Sequence, residues 1–230
     1  MKFLTDIKNF ILKYKHGWIL SYFFIYLIWF TYLERTVTTK FHPIYSRLDD
    51  HIPFNELFII PYFLWFAYIA VTVAYFLLTS KQDFYKCCAF LFLGMTICLI
   101  IYTIWPNGHY LRVDLDSLGR KNIFIDMLAS IYAVDTSTNV FPSIHVLNSI
   151  GAMIAIHKSE ALRKIVWLQW SAFILTVSIC LSTVFLKQHS VLDIFGAVAL
   201  SIVLYIIVYS PSRVRESIKA KHELSKNPSI

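Results

Sequence analysis

Six stretches of apolar residues alternate with shorter polar connections along the chain. They cover residues 17–33, 56–79, 87–105, 142–157, 165–186 and 191–209. Five of them approach the ~20 residues that an α-helix needs to cross the hydrocarbon core of a bilayer. The stretch at 142–157 is shorter, and its polar start suits a thinned or water-filled entrance to the membrane. The pattern predicts an all-α polytopic membrane protein with six transmembrane helices.

The polar connections contain fewer structural signals. In the longest one, Pro106-Asn107-Gly108 indicates a turn, and residues 122–133 could form a short interfacial helix. Residues 1–16 fit either an amphipathic helix in the membrane interface or a plain basic flank. Residues 211–230 are polar and basic, and we expect a loose cytoplasmic tail there.

Composition supports a single membrane domain over residues 1–230. Hydrophobic residues make up 57% of the chain, charged residues only 15%, and the mean hydropathy is +0.60, which is too apolar for a soluble domain of this size. The net charge is +7, but the basic residues are spread over the loops and no nucleic-acid-binding module is visible. The four cysteines lie in or beside apolar stretches and form no metal-binding pattern.

The distribution of lysine and arginine predicts the orientation of the chain. The N-terminal segment, the connections at 80–86 and 158–164, and the tail hold 14 of the 21 basic residues. Basic residues concentrate on the cytoplasmic side of membrane proteins, so we expect both termini to be cytoplasmic. The connections that precede His145 and surround His189 then share the extracytoplasmic side.

The first cluster of candidate functional residues is Phe141-Pro142-Ser143-Ile144-His145. Pro142 suits the first turn of a helix, where its missing N–H costs nothing. Ser143 then places a hydroxyl beside the unpaired N–H groups of that turn, and such a helix start attracts anions. His145 can carry a proton near neutral pH.

The second cluster is Lys187-Gln188-His189-Ser190-Val191-Leu192-Asp193. Because His189 and Asp193 are four residues apart, one helix would place them on the same face. Asp193 could then accept the Nδ1 proton of His189 and leave Nε2 free as a nucleophile. We expect His145 to be the general acid, and Ser143, Arg112 and Lys187 to bind phosphoryl oxygens.

These residue types favour phosphoryl transfer without a metal. One aspartate and two histidines are too few carboxylates for a magnesium site, so we expect neither a metal nor another cofactor. Each histidine alone could also be a packing residue within the membrane. Asn107 and His109 could join the pocket, although a turn asparagine and a surface histidine are the simpler interpretations.

The two clusters resemble motifs of the type 2 phosphatidic acid phosphatase superfamily. Residues 142–145 are similar to its Pro-Ser-Gly-His motif, and residues 182–193 are similar to its Ser-Arg-x5-His-x3-Asp motif, with Ser182, His189 and Asp193 at the same spacing. The resemblance extends over about residues 56–210. It implies a six-helix catalytic core, a phosphohistidine on His189, and His145 as the acid.

Four positions depart from the motifs of the superfamily. Trp105 and Val113 stand where its first motif, Lys-x6-Arg-Pro, has lysine and proline, and Thr183 stands where the third has arginine. Ile144 replaces the glycine of the second motif, a form similar to the inositol phosphorylceramide synthase branch. Members of that branch transfer a phospho-headgroup to an alcohol.

Three functions are therefore compatible with the sequence. The first is an integral enzyme of the cell membrane that hydrolyses a lipid phosphate ester on the extracytoplasmic face. The second is a phosphotransferase that moves a phosphoryl-headgroup to a lipid alcohol through the same intermediate. The third is a non-catalytic membrane protein that retains the fold. The expected partners are a lipid phosphate substrate and membrane lipids, while the sequence indicates no oligomeric state.

Overall fold

The computed structural model describes residues 12–210 of the chain, so most of the 1–16 segment and the 211–230 tail lie outside the described residues. The described part is mostly helical, as the apolar pattern predicts. Eight α-helices are present in that part: α1 (Tyr22–Thr36), α2 (Arg47–His51), α3 (Ile59–Thr79), α4 (Lys81–Ile104), α5 (Ile123–Val134), α6 (Ile144–Lys158), α7 (Val166–Phe185) and α8 (Val191–Tyr209).

Five helical segments between residues 12 and 210 are long and apolar enough to cross a membrane. They are Lys15–Thr36, Glu56–Thr79, Lys81–Ile104, Val166–Phe185 and Val191–Tyr209. The first and second of these segments each begin with a short 3₁₀ turn before α1 and α3. The remaining predicted span, 142–157, corresponds to α6, which has only 15 residues and falls short of the length that a bilayer requires.

Helix α6 lies at the centre of the bundle and packs against α3, α4, α7 and α8. Small residues allow α4 to approach it closely. A Cβ atom on Gly151 of α6 would lie 2.5 Å from the ring of Phe90, and one on Gly94 of α4 would lie 2.6 Å from the side chain of Leu147. Both distances are far below van der Waals contact, so glycine permits this packing.

The outer faces of the surrounding helices carry large apolar side chains that no other part of the described chain covers. Examples on four different helices are Phe24, Val71, Trp170 and Ile206, each more than half exposed. A water-soluble protein rarely exposes apolar surface on this scale. The bundle therefore has the surface of a multi-pass membrane protein.

The polar connections fold over one end of the bundle. A short parallel pair of strands, β1 (His42–Pro43) and β2 (Asn107–Gly108), joins the connection after α1 to the connection after α4. Arg120 pairs with Glu56 through a forked contact of 2.7 and 2.9 Å, which holds the second connection against the start of α3. The segments before α6 and before α8 meet at this same end.

The start of α6 differs from the sequence-based expectation. The helix begins at Ile144 and Ser143 is its N-cap, so Pro142 lies before the cap rather than in the first turn. The Phe141–Pro142 peptide bond is cis. The short helix predicted at 122–133 is confirmed as α5, and its position at the membrane interface stays a prediction. Asn122 caps this helix by accepting from the N–H groups of Phe124 and Ile125.

Candidate active site

Ser143 connects the starts of two helices. Its hydroxyl oxygen accepts a hydrogen bond from Val146 N–H in the first turn of α6, as an N-cap serine does. Its own backbone N–H donates to the carbonyl of Asp193 in the first turn of α8, at 3.2 Å. Ser143 is completely buried. The two sequence clusters, about 45 residues apart, are therefore brought together by this contact.

The turn between α7 and α8 presents His189. The N–H groups of Gln188 and His189 both donate to the carbonyl of Thr183, which closes the turn after α7. Ser190 and Asp193 then form a capping box at the start of α8: the serine side chain accepts from the helix, and the Asp193 carboxylate accepts from Ser190 N–H.

The His189 imidazole lies between Asp193 and Ser143. Its Nδ1 is 3.0 Å from Asp193 Oδ2, and its Nε2 is 3.2 Å from Ser143 Oγ. A carboxylate only accepts, so Nδ1 carries the proton and Nε2 has the free lone pair. The Ser143 hydroxyl can donate to that lone pair while its oxygen accepts from Val146 N–H. This arrangement fixes the tautomer that a nucleophilic Nε2 requires.

His145 faces the same space from the first turn of α6. Its ring lies 5.8 Å from the His189 ring, centroid to centroid, in an edge-on arrangement. Tyr62 and Trp65 of α3 contact the other sides of the imidazole at 4.8 and 4.5 Å. The two histidines are thus close enough to serve the two ends of one breaking bond.

Burial keeps His189 neutral. The side chain is 7% exposed, and loss of solvation lowers the pKa of its imidazole below the usual value. The positive charge of Arg112 lowers that pKa further. A neutral imidazole at physiological pH is the form that can attack phosphorus.

Arg112 lies close to the site and is firmly held. Its Nη atoms donate to the backbone carbonyls of Tyr132, Asp135 and Thr136 and to the side-chain oxygen of Gln188. The guanidinium also lies 4.3 Å above the ring of Tyr132. Burial lowers its pKa, although an arginine remains charged. The predicted phosphate ligand is therefore a fixed cation beside the nucleophilic turn.

Lys187 has a different environment. The residue has a left-handed backbone, with φ of 56°, and its ammonium donates to the carbonyls of Asp49 and Ile52 at 2.8 and 2.6 Å. Two of its three N–H donors are therefore used by the connection that contains α2. Phosphate binding by Lys187 stays a prediction, and its visible contacts anchor this connection to the nucleophilic turn.

The interpretation of Asn107 and His109 as a turn asparagine and a surface histidine was wrong in one respect, because both side chains are fully buried. His109 Nδ1 accepts from Leu111 N–H, so Nε2 carries the proton and donates to the carbonyl of Gln188. Asn107 accepts from the N–H groups of Val140 and Phe141. The two residues hold the segments that lead to His189 and to Ser143.

Two buried carboxylates complete the support of the site. Asp49 accepts from Ser190 Oγ at 2.6 Å and from Val191 N–H at 2.8 Å. Glu34 accepts from the backbone and hydroxyl of Thr136 and from the amide of Asn139. Asp49 and Glu34 each lie about 100 residues or more from their partners along the chain, so no short sequence motif predicts the role of either residue.

No cluster of three or more histidine, cysteine, aspartate or glutamate side chains that could hold a metal ion occurs within residues 12–210. The His189–Asp193 pair is a hydrogen-bonded dyad, and Nδ1 is already used by the carboxylate. The arrangement can supply a nucleophile, an acid and N–H donors.

Comparison with protein families gave one match. The model of the PAP2 superfamily matches residues 122–215, a stretch that includes α5 to α8 and contains Ser143, His145, His189 and Asp193. Members of this superfamily are generally phosphatases or related phosphoesterases. Searches of curated proteins and of solved structures found no match to the chain. The match therefore indicates a membrane phosphatase-type fold and no particular substrate.

Proposed function

We propose that the protein is an integral membrane phosphatase that hydrolyses a lipid phosphate ester through a phosphohistidine on His189. The observation that carries this proposal is the alignment of Asp193, His189 and Ser143, because it leaves Nε2 of the His189 imidazole unprotonated and fixed in position. The PAP2 superfamily match over the same residues supports it. A lipid substrate fits a site at the end of an apolar bundle, since its acyl chains can stay in the bilayer while the phosphate enters the pocket.

The reaction has two steps. In the first, Nε2 of His189 attacks phosphorus, the bond to the ester oxygen breaks, and His145 donates a proton to the leaving alkoxide. Asp193 stabilises the positive charge that develops on the His189 ring. In the second, His145 takes a proton from water, the water oxygen attacks phosphorus, and the P–N bond breaks. Inorganic phosphate and an alcohol are the products.

The proposal includes a topology. Helix α6 is a membrane segment in addition to the five long ones and the fourth of six in chain order, both termini are cytoplasmic, and the site faces the extracytoplasmic side of the cell membrane. The lysine and arginine distribution supports this orientation. The short length of α6 is compatible with a membrane position, because the four surrounding helices shield it from lipid.

Transfer of a phosphoryl-headgroup to a lipid alcohol is the second candidate. His189 is 7% exposed, and an alcohol that arrives from the bilayer can reach such a shielded site in place of water. The phosphohistidine step is the same, and only the acceptor differs. Ile144 at the glycine position of the second motif also favours this branch.

The deciding experiment is phosphate release by the purified protein in detergent from a panel of lipid phosphates, beside His189→Ala. Acid-labile, base-stable labelling of the protein from a ³²P substrate detects the intermediate. Release and labelling that both vanish in His189→Ala would support the phosphatase. Labelling without phosphate release, together with transfer to an added long-chain alcohol, would favour the transferase. A folded protein that shows neither labelling nor release, and no headgroup transfer from an added phospholipid donor to the alcohol, would be a non-catalytic relative.

A further inference from the structure

Two buried N–H donors beside the nucleophilic turn have no hydrogen-bond partner among residues 12–210. They are Nε2 of Gln188, on a side chain only 2% exposed, and Nε of Arg112. Buried polar groups in proteins are nearly always paired, because an unpaired one loses its solvation without compensation. Two such donors on neighbouring side chains therefore indicate that a hydrogen-bond-accepting ligand binds there during function.

The orientation of the Gln188 amide follows from its partner. Arg112 Nη2 donates to the Gln188 side-chain oxygen at 2.6 Å, and a guanidinium can only donate. The amide oxygen must therefore face Arg112 Nη2, which leaves the NH₂ group as the part of the amide without a partner. The backbone of Gln188 is held as well, since its carbonyl accepts from His109 and its N–H donates to Thr183.

The position of Gln188 relates this donor to the reaction. It directly precedes His189, and the charge of its partner Arg112 acts on the His189 imidazole. Thr183, in the last turn of α7, cannot supply a donor: it is fully buried and its hydroxyl donates to the carbonyl of Cys180. The unpaired amide of Gln188 is a donor that stands directly beside His189 in the chain.

We propose that Gln188 is a phosphoryl-oxygen ligand, and that its Nε2 and Arg112 Nε together bind the phosphoryl group during transfer. This inference rests on the proposed function. A preorganised donor contributes most when negative charge spreads onto the phosphoryl oxygens. The Gln188 amide can stabilise that negative charge without being charged itself. Its hydrogen bond with Arg112 keeps the two donors fixed relative to each other.

Orthovanadate is the probe, because it adopts the trigonal-bipyramidal geometry of the transferring phosphoryl group. Its affinity is measured by the thermal stabilisation of the purified full-length protein and by inhibition of phosphate release. The variants are Gln188→Met, which has similar length and no N–H, Arg112→Lys, and the double variant. Gln169→Met on α7 is the matched control, since the Gln169 amide is also hydrogen-bonded but contacts His157 and Leu162.

The double variant separates a direct contact from a positioning role. If Gln188 binds phosphoryl oxygen itself, Gln188→Met weakens vanadate binding about tenfold or more and lowers kcat about 10²-fold, and much of the loss persists in the Arg112→Lys background. Gln169→Met keeps the vanadate affinity and kcat of the wild type. Gln188→Met removes an acceptor of Arg112 Nη2, so we expect a lower unliganded melting temperature for this variant, and its vanadate affinity is measured below that temperature.

Three results would overturn the inference. Unchanged vanadate affinity in Gln188→Met would show that the donor is not used, while the proposed function would survive. A loss that disappears in the Arg112→Lys background would make Gln188 only a positioning residue for Arg112. Absence of vanadate binding by the wild-type protein, together with absence of phosphohistidine labelling, would remove the proposed function and this inference with it.

Discussion

At the scale of single residues, the site combines groups that the sequence reveals with groups that it hides. The four-residue spacing of His189 and Asp193 predicts their contact as two side chains on one helical face. The contact is present, but His189 precedes the N-cap Ser190 and reaches Asp193 from outside the helix. Gln188 and His109 carry no such signal. Their roles depend on partners more than 70 residues away, and only the folded connections bring those partners together.

The proposed role of His145 as the general acid can be tested by comparing phosphate esters whose leaving groups differ in their need for a proton. We expect His145→Gln to slow cleavage of alkyl phosphates by about 10²- to 10⁴-fold, because the leaving alkoxide then receives no proton. Cleavage of p-nitrophenyl phosphate should fall far less, since nitrophenolate leaves without protonation. The pre-steady-state release of alcohol or nitrophenolate reports the first step alone, before His145 acts as the base on water, and it measures this difference. His157→Gln, at the other end of α6, is the control. An equal loss on both esters would contradict the assignment of His145 as the acid.

His109 should make stability depend on pH. Burial is the main reason that its pKa falls to about 4 in the folded protein, so the folded state binds fewer protons than the unfolded state between about pH 4 and 6.5. Stability from this group is complete above pH 6.5 and is lost as pH falls towards 4, by up to about 3 kcal/mol.

Thermal unfolding in detergent between pH 4 and 7 measures this effect. His109→Gln removes the titrating group, so we expect its melting temperature to vary less steeply with pH than that of the wild type. The same substitution at the exposed His51 should leave the slope unchanged. Identical slopes for wild type and His109→Gln would refute the prediction.

At the scale of elements, the close contact between α4 and α6 determines where the α6 start lies. The hydrophobic pattern predicts both helices but not the distance between them. A glycine within an apolar stretch indicates that another helix approaches closely, but not which helix it is. The same limit applies to the connection at 34–55. Its polar composition predicts a loop, whereas the structure contains α2 and β1 there, held by contacts to the turns before α6 and α8.

We expect Gly151→Ala to destabilise the protein by about 1–3 kcal/mol, because the added methyl group would overlap the buried ring of Phe90. Denaturation in detergent measures the loss. Phe90→Leu removes part of the ring and should restore some of the stability of Gly151→Ala while being destabilising alone. If Gly151→Ala were as stable as the wild type, the described α4–α6 distance would be too short.

At the scale of the whole molecule, the sequence predicts the class of fold well. Apolar periodicity yields six segments, of which five meet the length and composition for crossing a membrane in the described range. The prediction of a helix start at Pro142 failed by two residues, because cap geometry depends on the contact between Ser143 and Asp193 rather than on proline preference.

The proposed orientation can be tested with single cysteines in a variant whose four native cysteines are replaced. A cysteine at the exposed position Ser117, in the connection after α4, should react with a membrane-impermeant maleimide on intact cells. A cysteine at the exposed position Glu160, after α6, should react only after permeabilisation. The reverse pattern would invert the topology and place the site on the cytoplasmic side.

The division of the site between two helices has a consequence for how the chain can be cut. Ser143 and His145 belong to α6, whereas His189 and Asp193 follow α7, and residues 159–165 join these two helices by a turn with several exposed residues and none of the site residues. A break in this turn would leave each fragment with half of the machinery and no activity. We expect the two fragments, produced together in one cell, to reassemble through the α6–α7 contact and to recover phosphate release.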